Sequence, residues 1–418
     1  MSLDPVRTVL PNGVVALVKR TQVTPAVTIN ASIQAGSAFD PPAQPGMANF
    51  VSRVIDRGTR SLTADQIAEA LDSRGVSLAL AVNRHTLAIT CTCLAEDLEP
   101  VLDIVGDILI NPSFPAAEIE TRRAEIITNI RQDEDSPAAV ATERLLRALY
   151  GDAHPYGWRP RGAVENVEAI TADALVTFHR QRFVPAALSL VMVGDVAPDR
   201  AAAAAGKALG AWPAAPFAPV VFPPAPPAAS RRFESVSMMN KSQTDIGYGF
   251  VAIERADPAF YAYWLMNNIL GQYSLGGRLG DSIRERQGMA YYVFSAIDAN
   301  VTPGPFMVRA GVSPDNVERA IASIDAELTR LAAEGPTEKE LAESKQYLIG
   351  SMPRNLETNA GIANFLQQIE FFGLGLDYDR RVPGLLQQVT RDEVHAAARA
   401  LLDPARATVV VAGPYQPS

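Results

Sequence analysis

One pattern occurs twice in this chain, and that repetition limits its architecture more than any single motif. Thr171 stands fourteen residues before Pro185, with Gly194 nine residues further on; Thr390 stands fourteen before Pro404, with Gly413 nine further on. Val191-Met192-Val193-Gly194 is therefore answered by Val410-Val411-Ala412-Gly413 at a constant offset of 219 residues. Upstream, the helical spacing of Val317, Ile321, Ile324 and Leu328 echoes that of Val101, Leu102, Val105 and Ile108. A duplication of about half the chain accounts for these matches together. The expected fold is α+β, with two homologous α/β-sandwich domains, each a mostly antiparallel sheet flanked by helices.

A composition shift places the boundary. Trp212-Pro213-Ala214-Ala215-Pro216 and Pro223-Pro224-Ala225-Pro226-Pro227 resist both helix and sheet and favour an extended connector. The expected division is a domain over 1–212, a Pro/Ala-rich linker over 213–230 and a second domain over 231–418. At 418 residues the chain is long enough to bury two cores.

Charge and cysteine usage exclude several classes. A net charge of -9 and a pI near 5.1 lack the basic footprint of a nucleic-acid binder. Cys91 and Cys93 fall at i and i+2 on a strand-like run, which reads as two small core residues rather than a metal or redox pair. No apolar run reaches the length of a membrane span. The start, Met1-Ser2-Leu3-Asp4-Pro5, lacks a basic-then-apolar leader, so the expected location is cytoplasmic, or periplasmic if a leader has been removed.

In the first half, Thr63 and Gln66 form a capping-box signature for a helix through Ile67 and Leu71. Val76 to Val82 and Leu87 to Cys93 alternate as a hairpin, and a long helix is expected from Ala116 to Arg131. The segment Gly46 to Thr59 matters most. Met47, Phe50, Val51, Val54 and Ile55 give a helix one apolar face, while Asn49, Ser52 and Arg53 share another at i, i+3 and i+4. A helix uses that spacing to present two metal ligands and a general base. These side chains cannot do so: Asn49 offers a weak neutral oxygen, Arg53 a permanent positive charge, and Ser52 cannot deprotonate water unaided.

The surrounding frame is Leu10-Pro11-Asn12-Gly13, Ala35-Gly36-Ser37, Gly46-Met47-Ala48 and Arg57-Gly58-Thr59. It resembles the N-terminal region of the pitrilysin and insulysin family of metallopeptidases, in the branch of processing peptidases and their small bacterial relatives. The resemblance extends over essentially all of the chain, and the family's architecture is two similar α+β domains. It maps the family's zinc-binding and base positions onto Asn49, Ser52 and Arg53, and the remaining ligand, a glutamate on a later helix, onto Asn129. All four are degenerate. Glu125, one turn before Asn129, is no substitute, since a single carboxylate beside an arginine makes a salt bridge. His85, His154, His179 and His395 are scattered.

The second half keeps what the first has lost. Leu270-Gly271-Gln272-Tyr273-Ser274-Leu275-Gly276-Gly277-Arg278-Leu279 is followed by Ile283-Arg284-Glu285-Arg286-Gln287-Gly288-Met289-Ala290-Tyr291. Gly276-Gly277 permits a tight turn into a short helix that Gly288 stops, and a strand begins near Tyr291. Taken alone, an arginine near a helix end and a tyrosine in a strand are ordinary. In the family this motif's arginine and tyrosine contact substrate beside the scissile bond, so the resemblance assigns substrate binding to Arg284 and Tyr291, with Tyr292 the adjacent competitor. The chemistry suits that role, because a guanidinium and a phenol can donate to a peptide carbonyl and to the oxyanion formed on attack. The resemblance implies a zinc-free subunit of a heterodimeric, clamshell-forming zinc endopeptidase, inactive alone, with zinc in a paralogous partner and a peptide as substrate. The alternative is a non-catalytic peptide-binding or structural core-type subunit.

Overall fold

The computed structural model describes residues 2–217, 220–272 and 276–416. Within them the chain forms two compact units, residues 1–130, 159–221 and 352–380 in the first and residues 131–158, 222–351 and 381–418 in the second. Tyr273, Ser274 and Leu275 of the second-half motif, and Ala218 and Pro219 of the proline-rich segment, lie outside the described residues.

The first unit is built on a six-stranded sheet. Its strands are β1 (Val6–Val9), β2 (Val15–Arg20), β3 (Ala26–Ile33), β4 (Ala79–Val82), β5 (Leu87–Leu94) and β6 (Leu188–Gly194), ordered β1-β2-β6-β3-β5-β4. The second unit has a five-stranded sheet of β7 (Arg232–Ser237), β8 (Thr244–Val251), β9 (Ala290–Ile297), β10 (Pro305–Val312) and β11 (Thr408–Gly413), ordered β7-β11-β8-β10-β9. Both sheets are antiparallel except at one pair. In the first, β6 runs parallel to β2 and antiparallel to β3; in the second, β11 runs parallel to β7 and antiparallel to β8.

The repeated residues have matching jobs. Thr171 and Thr390 each accept a backbone N–H three residues on, capping helices Ala172–Arg182 and Arg391–Leu401. Pro185 and Pro404 each open a single 3₁₀ turn before β6 and β11. Gly194 and Gly413 end those strands with φ of 151° and 146°. A Cβ there would lie 2.0 Å from the carbonyl oxygen of Ala26 or 2.7 Å from Thr244 Cα, so only glycine fits.

Each sheet carries one helix from the far side of the proline-rich segment. Helix Asn359–Phe372 lies on the polar face of the first sheet, where Gln367 donates to the carbonyl oxygens of Asn30 and Ser189 and accepts from the Ser189 hydroxyl. Helix Pro137–Tyr150 lies on the second sheet over Gly247 and Gly249; a Cβ on Gly247 would stand 3.1 Å from the Ala141 carbonyl. The opposite face of the first sheet, with Val27, Ile29, Ala31 and Ile33 all fully buried, packs into the helical core. Cys91 and Cys93 sit buried and unbridged in that core, where burial raises their thiols to about 12 and about 11. No helix among the described residues is long and apolar enough to cross a membrane.

Candidate functional site

The helix carrying Asn49, Ser52 and Arg53 forms as its periodicity predicts, over Met47–Val54, with Met47, Phe50, Val51 and Val54 fully buried. Its start is rigidly built. Gly46 adopts φ 97°, and a Cβ there would stand 2.5 Å from the Arg161 carbonyl. Asp40, buried, accepts from the N–H groups of Gly46 and Ala48 at 2.7 and 2.8 Å. Burial pushes its carboxyl up to about 8, against those N–H groups and that of Met47, which favour the ionised form.

The four positions that the resemblance equates with a zinc site fall on two helices. Ser52 is buried and donates its hydroxyl to the Asn49 carbonyl at 2.7 Å, so it is engaged by its own helix. Asn49 is half-buried and Arg53 is exposed. Asn129 lies half-buried on the long helix Ala116–Glu134. Glu125 on that helix pairs with Arg122 at 2.6 Å, as a lone carboxylate should. The two helices are linked by Arg123, whose guanidinium lies 5.1 Å from the Phe50 ring centre and also donates to the carbonyls of Val167 and Ile170. An amide, a hydroxyl, a guanidinium and a second amide do not make a zinc ligand set. Among the described residues no group of three or more His, Cys, Asp or Glu is placed to hold a metal.

The histidines serve the fold. His179 Nε2 lies 2.9 Å from the Leu109 carbonyl, and its ring stacks on Phe183. His154 Nδ1 accepts from the Tyr156 N–H and shapes the turn at Pro155–Gly157. Burial pushes His85 and His179 down to about 4.

In the second unit the retained motif is irregular on both sides of a tight turn. Residues Gly280–Arg286 wind with π-type spacing. The segment ends with the Gly288 N–H donating to Arg284 and the Met289 N–H to Ile283, and Gly288 takes φ 61° as a helix-stop glycine should. Strand β9 follows at the sheet edge. Its ladder with β10 slips by one residue: Gly311 pairs with Tyr292 and Val312 with Ala290, leaving Tyr291 as the extra residue of a β-bulge. Strict alternation, which would put Tyr291 on the face of Val293 and Ser295, is therefore interrupted at that residue.

Neighbouring competitors are sorted by what engages them. Arg278 is buried and grips Glu340 through Nε and Nη2 at 2.7 and 2.9 Å. Arg286 pairs with Asp281 at 2.7 Å. Arg284, with its side chain 40% exposed, approaches only Glu285, at 3.9 Å, among the described residues. The two tyrosines divide the same way. Tyr292 donates to Asp245 on β8, and burial together with that carboxylate raises its phenol. Tyr291 is 65% exposed. π-type turns and β-bulges concentrate at functional sites because they re-aim side chains at a cost to regular bonding. Sequence spacing locates Arg284 and Tyr291, but it carries no signal for the bulge or for Tyr292's bond to Asp245.

Comparison with known proteins agrees with this layout. Residues 14–156 match the model described as Insulinase (Peptidase family M16), and residues 169–348 match Peptidase M16 inactive domain. A protein of Mycobacterium tuberculosis named an uncharacterized zinc protease is 27% identical over 424 residues, covering 99% of this chain and 94% of that one. A Bacillus subtilis protein with the same description is 24% identical over 83% of each chain. The crystal structure of a peptidase M16 inactive domain from Pseudomonas fluorescens superposes with a TM-score of 0.91 at 26% identity, covering 99% of this chain and 98% of that one. A protease from Helicobacter pylori gives the same TM-score at 16% identity, a likeness of fold. With both of its halves matched in order and its fold shared end to end, the chain belongs to the M16 family of pitrilysin- and insulinase-like peptidases.

Proposed function

We propose that this chain is the catalytically incomplete subunit of a heterodimeric zinc metalloendopeptidase. A paralogous partner supplies the metal and the general base. This chain supplies Arg284 and Tyr291, which donate hydrogen bonds to the peptide carbonyl beside the scissile bond and to the oxyanion that develops there. The observation that carries the reading is selective availability. In one motif Arg278, Arg286 and Tyr292 are tied to Glu340, Asp281 and Asp245, while on irregular backbone Arg284 is half-buried with only a 3.9 Å ion contact and Tyr291 is exposed. The Asn49, Ser52, Arg53 and Asn129 set supports an inactive state for the chain alone, because its donors do not suit zinc.

The test mixes this chain with a zinc-bearing family member from the same organism and follows peptide hydrolysis. Activity is expected only in the mixture. Arg284→Ala and Tyr291→Phe should each lower kcat by about 10²-fold, the scale of losing one oxyanion donor. EDTA-sensitive hydrolysis by the purified chain alone would refute the reading. Hydrolysis in the mixture that ignores both substitutions would leave a non-catalytic peptide-binding or structural subunit.

A further inference from the structure

We infer that Tyr292, Asp245 and Gly311 form a clamp across three strands that positions Tyr291. The inference rests on the role proposed above for Tyr291, but the geometry stands on its own. Asp245 on β8 pairs with Gly311 on β10, and Gly311 pairs with Tyr292 on β9, so the three residues form one row across the sheet. The Tyr292 ring lies against Gly311 and its hydroxyl donates to Asp245 Oδ1. The other oxygen, Oδ2, accepts from Gln243 Nε2 at 3.1 Å. The glycine leaves room for both side chains: a Cβ at 311 would stand 2.6 Å from Tyr292 Cε1 and 2.5 Å from Gln243 Nε2, so any other residue must push the ring and the amide aside. An aromatic ring laid across a glycine on the neighbouring strand is a known way to pin the register of an edge pair.

That clamp is one of two anchors. The other is the turn before β9, where the Met289 N–H donates to the Ile283 carbonyl at 3.1 Å and Ala290 then pairs with Val312. Between the anchors β9 holds one residue more than β10, and the surplus residue is Tyr291. With both anchors fixed it has no place in the ladder and stands out to solvent. With the clamp released and the turn anchor held, the bulge can move one residue along β9, so that Tyr291 pairs with Gly311 and Tyr292 becomes the surplus residue. Tyr292 is thus a positioning residue, and Gly311 is what allows it to act.

The experiment places 3-fluorotyrosine at position 291 of the full chain and records its ¹⁹F resonance, with and without the zinc-bearing partner. Gly311→Ala should move or broaden the resonance and lower kcat of the mixture at least tenfold, with KM changed less than threefold. Tyr292→Phe, which keeps the ring in its slot and loses the bond to Asp245, should give a smaller change of the same kind. Asp245→Asn, which keeps an acceptor, should restore most of the wild-type behaviour. A folded Gly311→Ala chain with an unmoved resonance and unchanged kcat overturns the inference; if that variant does not fold, an unmoved resonance in Tyr292→Leu does so. If Arg284→Ala and Tyr291→Phe leave the mixture fully active, the proposed function fails while the fluorine signal still decides the clamp.

Discussion

The helix Met47–Val54 and the segment Gly280–Ile297 hold comparable polar side chains and use them in opposite ways. On the first, Ser52 is bonded to its own helix, Asp40 closes the N-terminus, and Phe50 is buried under Arg123. Polar chemistry there has become architecture. On the second, the residues around Arg284 and Tyr291 take up the structural bonds, through Arg278, Arg286 and Tyr292, and the backbone departs from regular winding and pairing where half-buried Arg284 and exposed Tyr291 stand. On the reading proposed above, a site without its ligands relaxes into packing, whereas one that serves contact with another molecule keeps groups the fold does not need.

That contrast is sharpest in stability. Phe50→Ala should be the most damaging single change near the zinc-type helix, at about 3–5 kcal/mol, because it opens a cavity in a fully buried position and removes the Arg123 contact. Denaturant unfolding checks it. The first unit should also be the acid-sensitive one. His85 and His179 are held neutral, near pKa 4 in the fold against 6.5 unfolded, so between those values the unfolded chain binds more protons. The histidines' stability is fully present above pH 6.5 and is lost as pH falls toward 4, by up to about 3 kcal/mol per histidine, and Asp40, with its carboxyl raised to about 8, offsets part of that loss as it takes up a proton below pH 8. Hydrogen exchange followed from pH 7 to pH 4.5 should show the strands of the first sheet losing protection before those of the second. Equal losses in both would break the comparison.

Much of this was legible in sequence, and the exceptions share a cause. The duplicated Thr, Pro and Gly positions could be read because each does a local job: a cap, a turn opening, a strand end at positive φ. The capping box at Thr63 and Gln66 could be read for the same reason, and both of its bonds form. Strand β1 escaped notice because its four residues alternate weakly and stay largely exposed at an edge. The placement of helices Pro137–Tyr150 and Asn359–Phe372 escaped because local periodicity cannot say which sheet a helix meets. The bulge at Tyr291 arises from pairing with β10, so no property of β9 alone contains it.

The smallest expected effects test the contrast from the other side. Tyr291→Phe removes a hydroxyl that makes no hydrogen bond among the described residues, and Arg284→Ala removes a partly exposed guanidinium whose ion contact is 3.9 Å long. Each should change unfolding free energy by less than about 0.5 kcal/mol, the range of surface substitutions away from structural features. Ser52→Ala should also be nearly neutral, since the lost bond to the Asn49 carbonyl is a local one of the kind that competes with helical bonding, and alanine improves helix propensity. The two nearly silent outcomes differ in activity. Ser52→Ala should leave hydrolysis by the mixture untouched, whereas Tyr291→Phe and Arg284→Ala should lower it without altering the melting of the chain. If Ser52→Ala also lowered activity, or Tyr291→Phe destabilised the chain by more than 1 kcal/mol, the division between a relaxed site and a retained one would not hold.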